Sequence, residues 1–269
     1  MSFIDARNRR TGSLAAPIRT GQPGVLLVNL GTPDGTDTPS VRRYLKEFLS
    51  DRRVIEANPL VWQPILRSVV LNLRPRKSAA NYRRIWNTDA DESPLRTHTR
   101  AQSDRLAARL AEDDIPVEWG MRYGNPSTAH AIDRLLNRGC DRILLFPLYP
   151  QYSATTTATA NDQAFRALMR LRRQPAIRTV PSFPDDPAYI DAVAAGVRRS
   201  LAALDWVPEV LIASFHGLPV DYVQRGDPYV TECARTMTAL REALNMTPQE
   251  LPLTFQSRFG PTRWLGPYT

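Results

Sequence analysis

Apolar runs of strand length alternate with longer stretches of helical spacing along most of this 269-residue chain. Runs such as VLLVNL have almost no polar face, so they suit strands covered on both sides. Strands are expected at 25–30, 117–122, 143–148, 210–215 and 253–256, with a weaker one near 177–180. Between them the spacing predicts helices near 39–50, 59–73, 78–86, 99–111, 127–138, 155–172, 187–204 and 229–244. Thr38 before Pro39 is a start signal, and Asn137-Arg138-Gly139 is a stop. Repeated strand, helix, strand order needs a crossover at each step. Crossovers make strands parallel and put helices on both faces of the sheet, so the fold class is α/β.

Two of the runs echo each other. VLLVNLGTP (25–33) and VLIASFHGLP (210–219) are apolar strands that each end in a residue followed by Gly-x-Pro. The chain then reads as a polar N-terminal extension over 1–23, a first α/β domain over 24–180 and a second over 181–269, with the boundary in VPSFPDDP. Chance likeness between two buried strands is the competing explanation, because such runs draw on few residue types. Under the two-half reading, Leu30 and His216 take matching places at the carboxyl ends of their strands, where open α/β sheets bind ligands. Other strands also end in polar residues: Arg122 and Tyr123; Gln151, Tyr152 and Ser153; Ser257 and Arg258. Together these predict a lined cleft.

A hydrophobic fraction of 42% and a charged fraction of 23% exclude a disordered chain. No apolar run approaches the length of a spanning helix, and the first residues are polar and basic, unlike a secretory leader. A cytoplasmic location is therefore expected. Cys140 and Cys233 lie far apart with no CxxC partner, which argues against a disulfide framework or a zinc site. The net charge of +8 comes almost wholly from arginine and suits an anionic partner, whether nucleic acid, a lipid surface or a small polycarboxylate. A generally basic surface accounts for the charge equally well. NLGTPDG has neither the GxGxxG spacing nor a Gly-Lys-Ser/Thr, so it is no cradle for pyrophosphate.

Of three histidines, His98 and His130 fall in polar helical contexts and read as surface residues. His216 ends a strand and is a candidate base or metal ligand. A structural histidine bonded to the following turn is the alternative.

The segments LLVNLGTPD, YLKEFLSDRRV, GMRYGNPS, LYPQYSATT, SFHGLP, QSRFGP and WLGPYT occur in this order and resemble the ferrochelatase family, from about Gly24 to the last residue. Ferrochelatases are lyases that insert ferrous iron into a porphyrin at the end of haem synthesis. The resemblance implies two Rossmann-like, chelatase-type domains facing across a porphyrin cleft. It places His216 over the porphyrin centre, as the catalytic residue that takes pyrrole protons or as the metal ligand that passes on iron. It places Leu30 on the opposite face, Arg122 and Tyr123 in the cleft wall, and Ser153 and Trp264 among the substrate-binding residues. Protoporphyrin IX and ferrous iron are the implied partners, iron being a substrate with no resident cofactor, and nucleic acid is not a partner. Where certain relatives carry a cluster cysteine this chain reads Ser153-Ala154, which argues against an iron–sulfur cluster.

Chemistry sets the same requirements. A flat porphyrin with two N–H groups does not admit a metal from the side, so it must be held bent while two protons leave. A neutral imidazole can take a proton or ligate Fe²⁺. Propionates need cationic or hydrogen-bonding partners, and an arginine fork suits a carboxylate.

In NPLVWQPILRSVVLNLRPRKSAANYRRIW, residues Leu60, Val61, Trp62, Ile65, Leu66, Val69 and Val70 make an apolar helix that runs into a basic stretch. Periodicity alone reads this as a core helix with a charged end. The resemblance makes it the lip of the cleft, with possible peripheral contact to an anionic membrane at its cytoplasmic face. Family members continue past the segment that reads WLGPYT here and carry an acidic partner of the histidine there, so an incomplete second domain is expected. The alternatives are a chelatase for another metal or for coproporphyrin, and a porphyrin-binding remnant without turnover.

Overall fold

The computed structural model describes residues 21–258 and 260–269; most of the extension expected over 1–23 lies outside the described residues. The first half carries β1 (Gln22–Thr32), α1 (Thr38–Leu49), α2 (Pro59–Ile65), a π-helical turn (Leu66–Val70), α3 (Leu71–Ile85), α4 (Pro94–Arg109), β2 (Val117–Gly124), α5 (Thr128–Asn137), β3 (Cys140–Pro147), a second π-helical turn (Ala154–Ala158), α6 (Thr159–Leu168) and β4 (Ala176–Thr179). Then follow α7 (Pro187–Ala202), β5 (Ala213–His216), α8 (Val220–Gln224), α9 (Tyr229–Leu244) and β6 (Leu253–Gln256). The chain is mixed α/β. One four-stranded sheet has the order β2-β1-β3-β4, and β5-β6 form a two-stranded sheet. All the strand pairings are parallel.

The first sheet is built as its sequence dictates. In β1, Leu26 and Val28 point to one face and pack with Ile132, Leu135, Ala160 and Ala164 of α5 and α6. Val25 and Leu27 point to the other, toward Leu106, Ala107 and Leu110 at the end of α4. A strand covered on both faces needs an unbroken apolar run, and the run supplies it. β1 begins at Gln22, two residues before the expected domain start, because Gln22 and Pro23 already pair with β3.

The run 210–215 behaves differently. It was expected to be a buried strand, yet only Ala213–His216 forms β5, and Val210 and Ile212 are 49% and 55% exposed. Helices α7 and α9 cover one face of this small sheet, where Ala213 and Phe215 meet Ala194, Met237 and Leu240. Residues 212, 214 and 216 alternate onto the other face, which leaves Ile212 and His216 exposed.

The expected helices 59–73 and 78–86 are instead one interrupted helical segment, with Pro64 inside α2 and Pro75 inside α3. Proline removes a backbone donor, and the π-helical turn takes up the altered register. Leu66, Val70 and Leu71 thereby bury against Leu45, Phe48 and Leu49 of α1. Leu60, Val61, Ile65, Val69 and Leu73 are left facing out. Among the described residues no helix is long and apolar enough to cross a membrane.

Candidate active site

The polar strand ends of the first sheet converge on one carboxylate that the sequence reading had not singled out. Asp51, two residues past the end of α1, accepts hydrogen bonds from the Arg122 guanidinium and from the Thr159 hydroxyl. It also accepts from the Tyr123 hydroxyl at 2.8 Å and from the Arg53 backbone N–H at 2.9 Å. Arg122 donates its Nε to Thr159 at 2.6 Å, and its guanidinium lies 4.2 Å from the Tyr123 ring centroid. Arg122 and Tyr123 are 5% and 0% exposed, so this is an internal network. Burial pushes the Asp51 carboxyl up, but the Thr159, Arg53 and Tyr123 hydrogen bonds and the Arg122 charge outweigh it and hold the group below the usual carboxylate range. The fork that suits a propionate is thus already engaged by a carboxylate of this chain. The only sequence signal for Asp51 was an acid lodged between a helix end and two arginines.

Leu30 stands near the end of β1, half-buried, with its backbone N–H bonded to the Asn29 side chain. Gly31 follows at φ 109°, and a Cβ there would overlap the Tyr123 carbonyl of β2. Only glycine fits that conformation and that contact. Gly217 is a looser counterpart in the second sheet, without a positive φ, whose Cβ would lie 3.1 Å from the Gln256 carbonyl of β6. In each half, then, the residue before the glycine stands at a strand end while the glycine backbone runs close to the neighbouring parallel strand.

His216 ends β5 with its side chain exposed. Its Nδ1 lies 2.7 Å from the Gly217 carbonyl oxygen. A carbonyl can only accept, so Nδ1 carries a proton, and in the neutral imidazole Nε2 is the nitrogen with the lone pair. The structural and chemical readings of this histidine are thus compatible, because bonding to the turn uses Nδ1 and leaves Nε2 outside that bond. The Trp264 ring centroid lies 6.4 Å from that of His216. Trp264 is held there by a bridge to Pro219 and by the Leu265 N–H donating to the Leu218 carbonyl at 2.9 Å.

The stretch Gln151-Tyr152-Ser153 joins the halves. The Ser153 hydroxyl donates to Asp227 at 2.9 Å, and the Ala154 and Tyr229 N–H groups reach the same carboxylate at 2.8 and 3.1 Å. Gln151 donates to Thr236 at 2.7 Å, and the Tyr152 N–H donates to Glu232 at 2.6 Å. The Tyr229 hydroxyl lies against the His216 backbone amide, and burial raises its pKa. Ser153 is 1% exposed, so its role here is to tie the end of the first sheet to α9, the helix beneath His216. Ser257 and Arg258 are exposed beyond β6. Among the described residues no three His, Cys, Asp or Glu side chains cluster as metal ligands.

Parallel α/β layers joined along their strand ends, with an exposed imidazole at one such end, make a chelatase-type α/β arrangement. The family model described as Ferrochelatase matches residues 22–269. The chain is 61% identical to the ferrochelatase of Gluconobacter oxydans, over 94% of this chain and 74% of that protein. It is 60% identical to the ferrochelatase of Mesorhizobium japonicum, over 94% of this chain and 72% of that protein, and 58% identical to that of Rhizobium johnstonii, over 94% and 74%. The chain belongs to the ferrochelatase family.

Proposed function

We propose that this chain is a ferrochelatase, a lyase that inserts ferrous iron into protoporphyrin IX to give protohaem, with His216 as its reactive group. The observation that carries the reading is the fixed tautomer of His216, bonded through Nδ1 to Gly217 and open at Nε2. Insertion exchanges one Fe²⁺ for two pyrrole protons. A neutral Nε2 accepts one of those protons, or holds Fe²⁺ before transfer, but not both at once. Trp264 stands beside the imidazole with its ring tilted 59° to it, and Leu30 offers an apolar side chain at the corresponding end of the first sheet. Arg122, Tyr123 and Ser153 act by shaping the cleft wall, because their polar atoms bond to Asp51, Thr159 and Asp227. Cys140 and Cys233 are buried in separate elements, which supports iron as cargo rather than as part of a resident cluster.

The exposed stripe Leu60, Val61, Ile65, Val69 and Leu73 forms the lip, with Arg67 and Arg76 near it. An apolar stripe beside arginines suits peripheral contact with an anionic bilayer and favours the more apolar protoporphyrin over coproporphyrin.

The test is an anaerobic insertion assay that follows protoporphyrin absorbance with added Fe²⁺. The wild-type chain should turn over, and His216→Ala should lose about 10²-fold or more in kcat while still quenching tryptophan fluorescence on binding porphyrin. Full turnover by His216→Ala would remove the imidazole from the mechanism. Porphyrin binding by the wild-type chain with no insertion would favour a non-catalytic binder.

A further inference from the structure

One cavity shares only Arg122 and its partner Asp51 with the residues assigned to this chemistry. It measures about 800 Å³ and lies between α1, the Asp51 loop and α6. Arg43, Lys46 and Glu47 line it together with Ser50 just past the helix, an i, i+3, i+4, i+7 set on one side of α1. The opposite side of α1 packs Leu45, Phe48 and Leu49 against the lip segment, so the cavity turns away from the lip. His216, Leu30 and Trp264 are not in its lining, and every side chain that is in it is polar or charged.

The charges are unevenly committed. Arg43, Lys46, Arg52, Arg53, Arg122 and Arg166 all line the cavity. Its three carboxylates are all engaged: Asp51 by Arg122, Asp162 by Arg53 and Arg166, and Glu47 by the Gly124 N–H at 2.9 Å. Arg43 donates to the Ser40 hydroxyl and its charge also acts on Asp37, and Lys46 and Arg52 have no ion-pair partner among the described residues. Three exposed cations from two elements therefore face one concave space whose lining holds six cations against three carboxylates, Glu47 being the one carboxylate outside an ion pair. Like charges so gathered repel one another, and an anion between them relieves the repulsion.

We propose that this cavity binds a small oligoanion carrying at least two phosphate or carboxylate groups. Its volume exceeds what a single phosphate fills. No aromatic or apolar side chain is present for a nucleobase or a porphyrin ring to lie on. An occupant would sit directly behind the Arg122–Asp51 pair, which links this cavity to the wall of the porphyrin cleft.

The experiment is isothermal titration of the whole chain, at low salt, with pyrophosphate, citrate and inorganic phosphate. Pyrophosphate or citrate should bind saturably at one site, at least tenfold more tightly than inorganic phosphate, and the tighter of the two identifies phosphate or carboxylate chemistry. The double variant Lys46→Ala/Arg52→Ala should weaken that binding at least tenfold with the ligand-free melting midpoint unchanged. Arg105→Ala/Arg109→Ala removes two exposed arginines from α4, on the far face of the sheet from α6, and should bind like wild type. Absence of saturable binding, parity with inorganic phosphate, or equal losses in the two double variants would overturn the proposal, the last by reducing it to a generally basic surface.

Discussion

The carboxylate of Asp51 and the guanidinium of Arg122 form an ion pair with only 5% and 6% of their side chains exposed. Removing one member of such a pair leaves an uncompensated buried charge. Arg122→Ala should therefore destabilise the protein by about 3–5 kcal/mol, measured by urea unfolding at neutral pH. Because the folded Asp51 group titrates below its unfolded value, its stabilisation is fully present above about pH 4 and is lost as pH falls through the folded value. Asp51→Asn should flatten this acid limb of the unfolding midpoint against pH. An unchanged limb would mean that other carboxylates govern acid unfolding.

The lip offers a test that does not depend on turnover. Ile65 and Val69 are 42% and 48% exposed, one helical turn apart, so replacing both by glutamate should hardly disturb the core. If the stripe contacts lipid, the double variant should lose most of its co-sedimentation with anionic vesicles and keep its melting temperature. Equal sedimentation of wild type and variant would remove the lip from membrane contact. Leu66→Ala, on the buried side of the same segment, should instead cost about 2–5 kcal/mol of stability.

Asp227 holds three donors from the Ser153 side and from the start of α9. Asp227→Ala would leave them without this acceptor and cost about 1–3 kcal/mol. The loss should appear as earlier proteolytic cleavage between 180 and 187 at a concentration where wild type is resistant. Identical cleavage rates would show that Gln151–Thr236 and Tyr152–Glu232 hold the halves without it.

Cys233 is fully buried, and burial pushes its thiol pKa up to about 12. The thiolate is then negligible at neutral pH, and Cys140, also buried and shifted upward, behaves alike. Neither thiol should react with a disulfide reagent at pH 8 until the protein is unfolded, when both should. Fast labelling of the native protein would indicate local opening of α9 or β3.

The first sheet was legible because its chemistry is local. A strand covered on both faces needs a mostly apolar run at its centre, so β1 and β3 stand out in the sequence to within a few residues, and β2 does so despite the polar Glu118 and Arg122. The first glycine of the Gly-x-Pro echo was legible too, since only glycine tolerates the backbone contact that Gly31 makes. The same reasoning overshot at 210–215, where aliphatic residues look alike whether one face or two is covered. It merged α2 into a longer helix, because the register change at the π-helical turn leaves no separate mark in the apolar pattern.

By itself the sequence determined that parallel α/β layers would form, that His216 would end a strand, and that the chain's motifs follow those of one family. Only the tertiary structure decided which charges are free. Arg122 and Arg52 are the same residue type in the sequence. One is buried against an aspartate 71 positions away and the other faces an open cavity, because Coulomb interactions depend on distance and burial in space, which spacing along the chain does not encode. The tautomer of His216 was decided in the same way: a single carbonyl 2.7 Å from Nδ1 can only accept, which places the proton on that nitrogen.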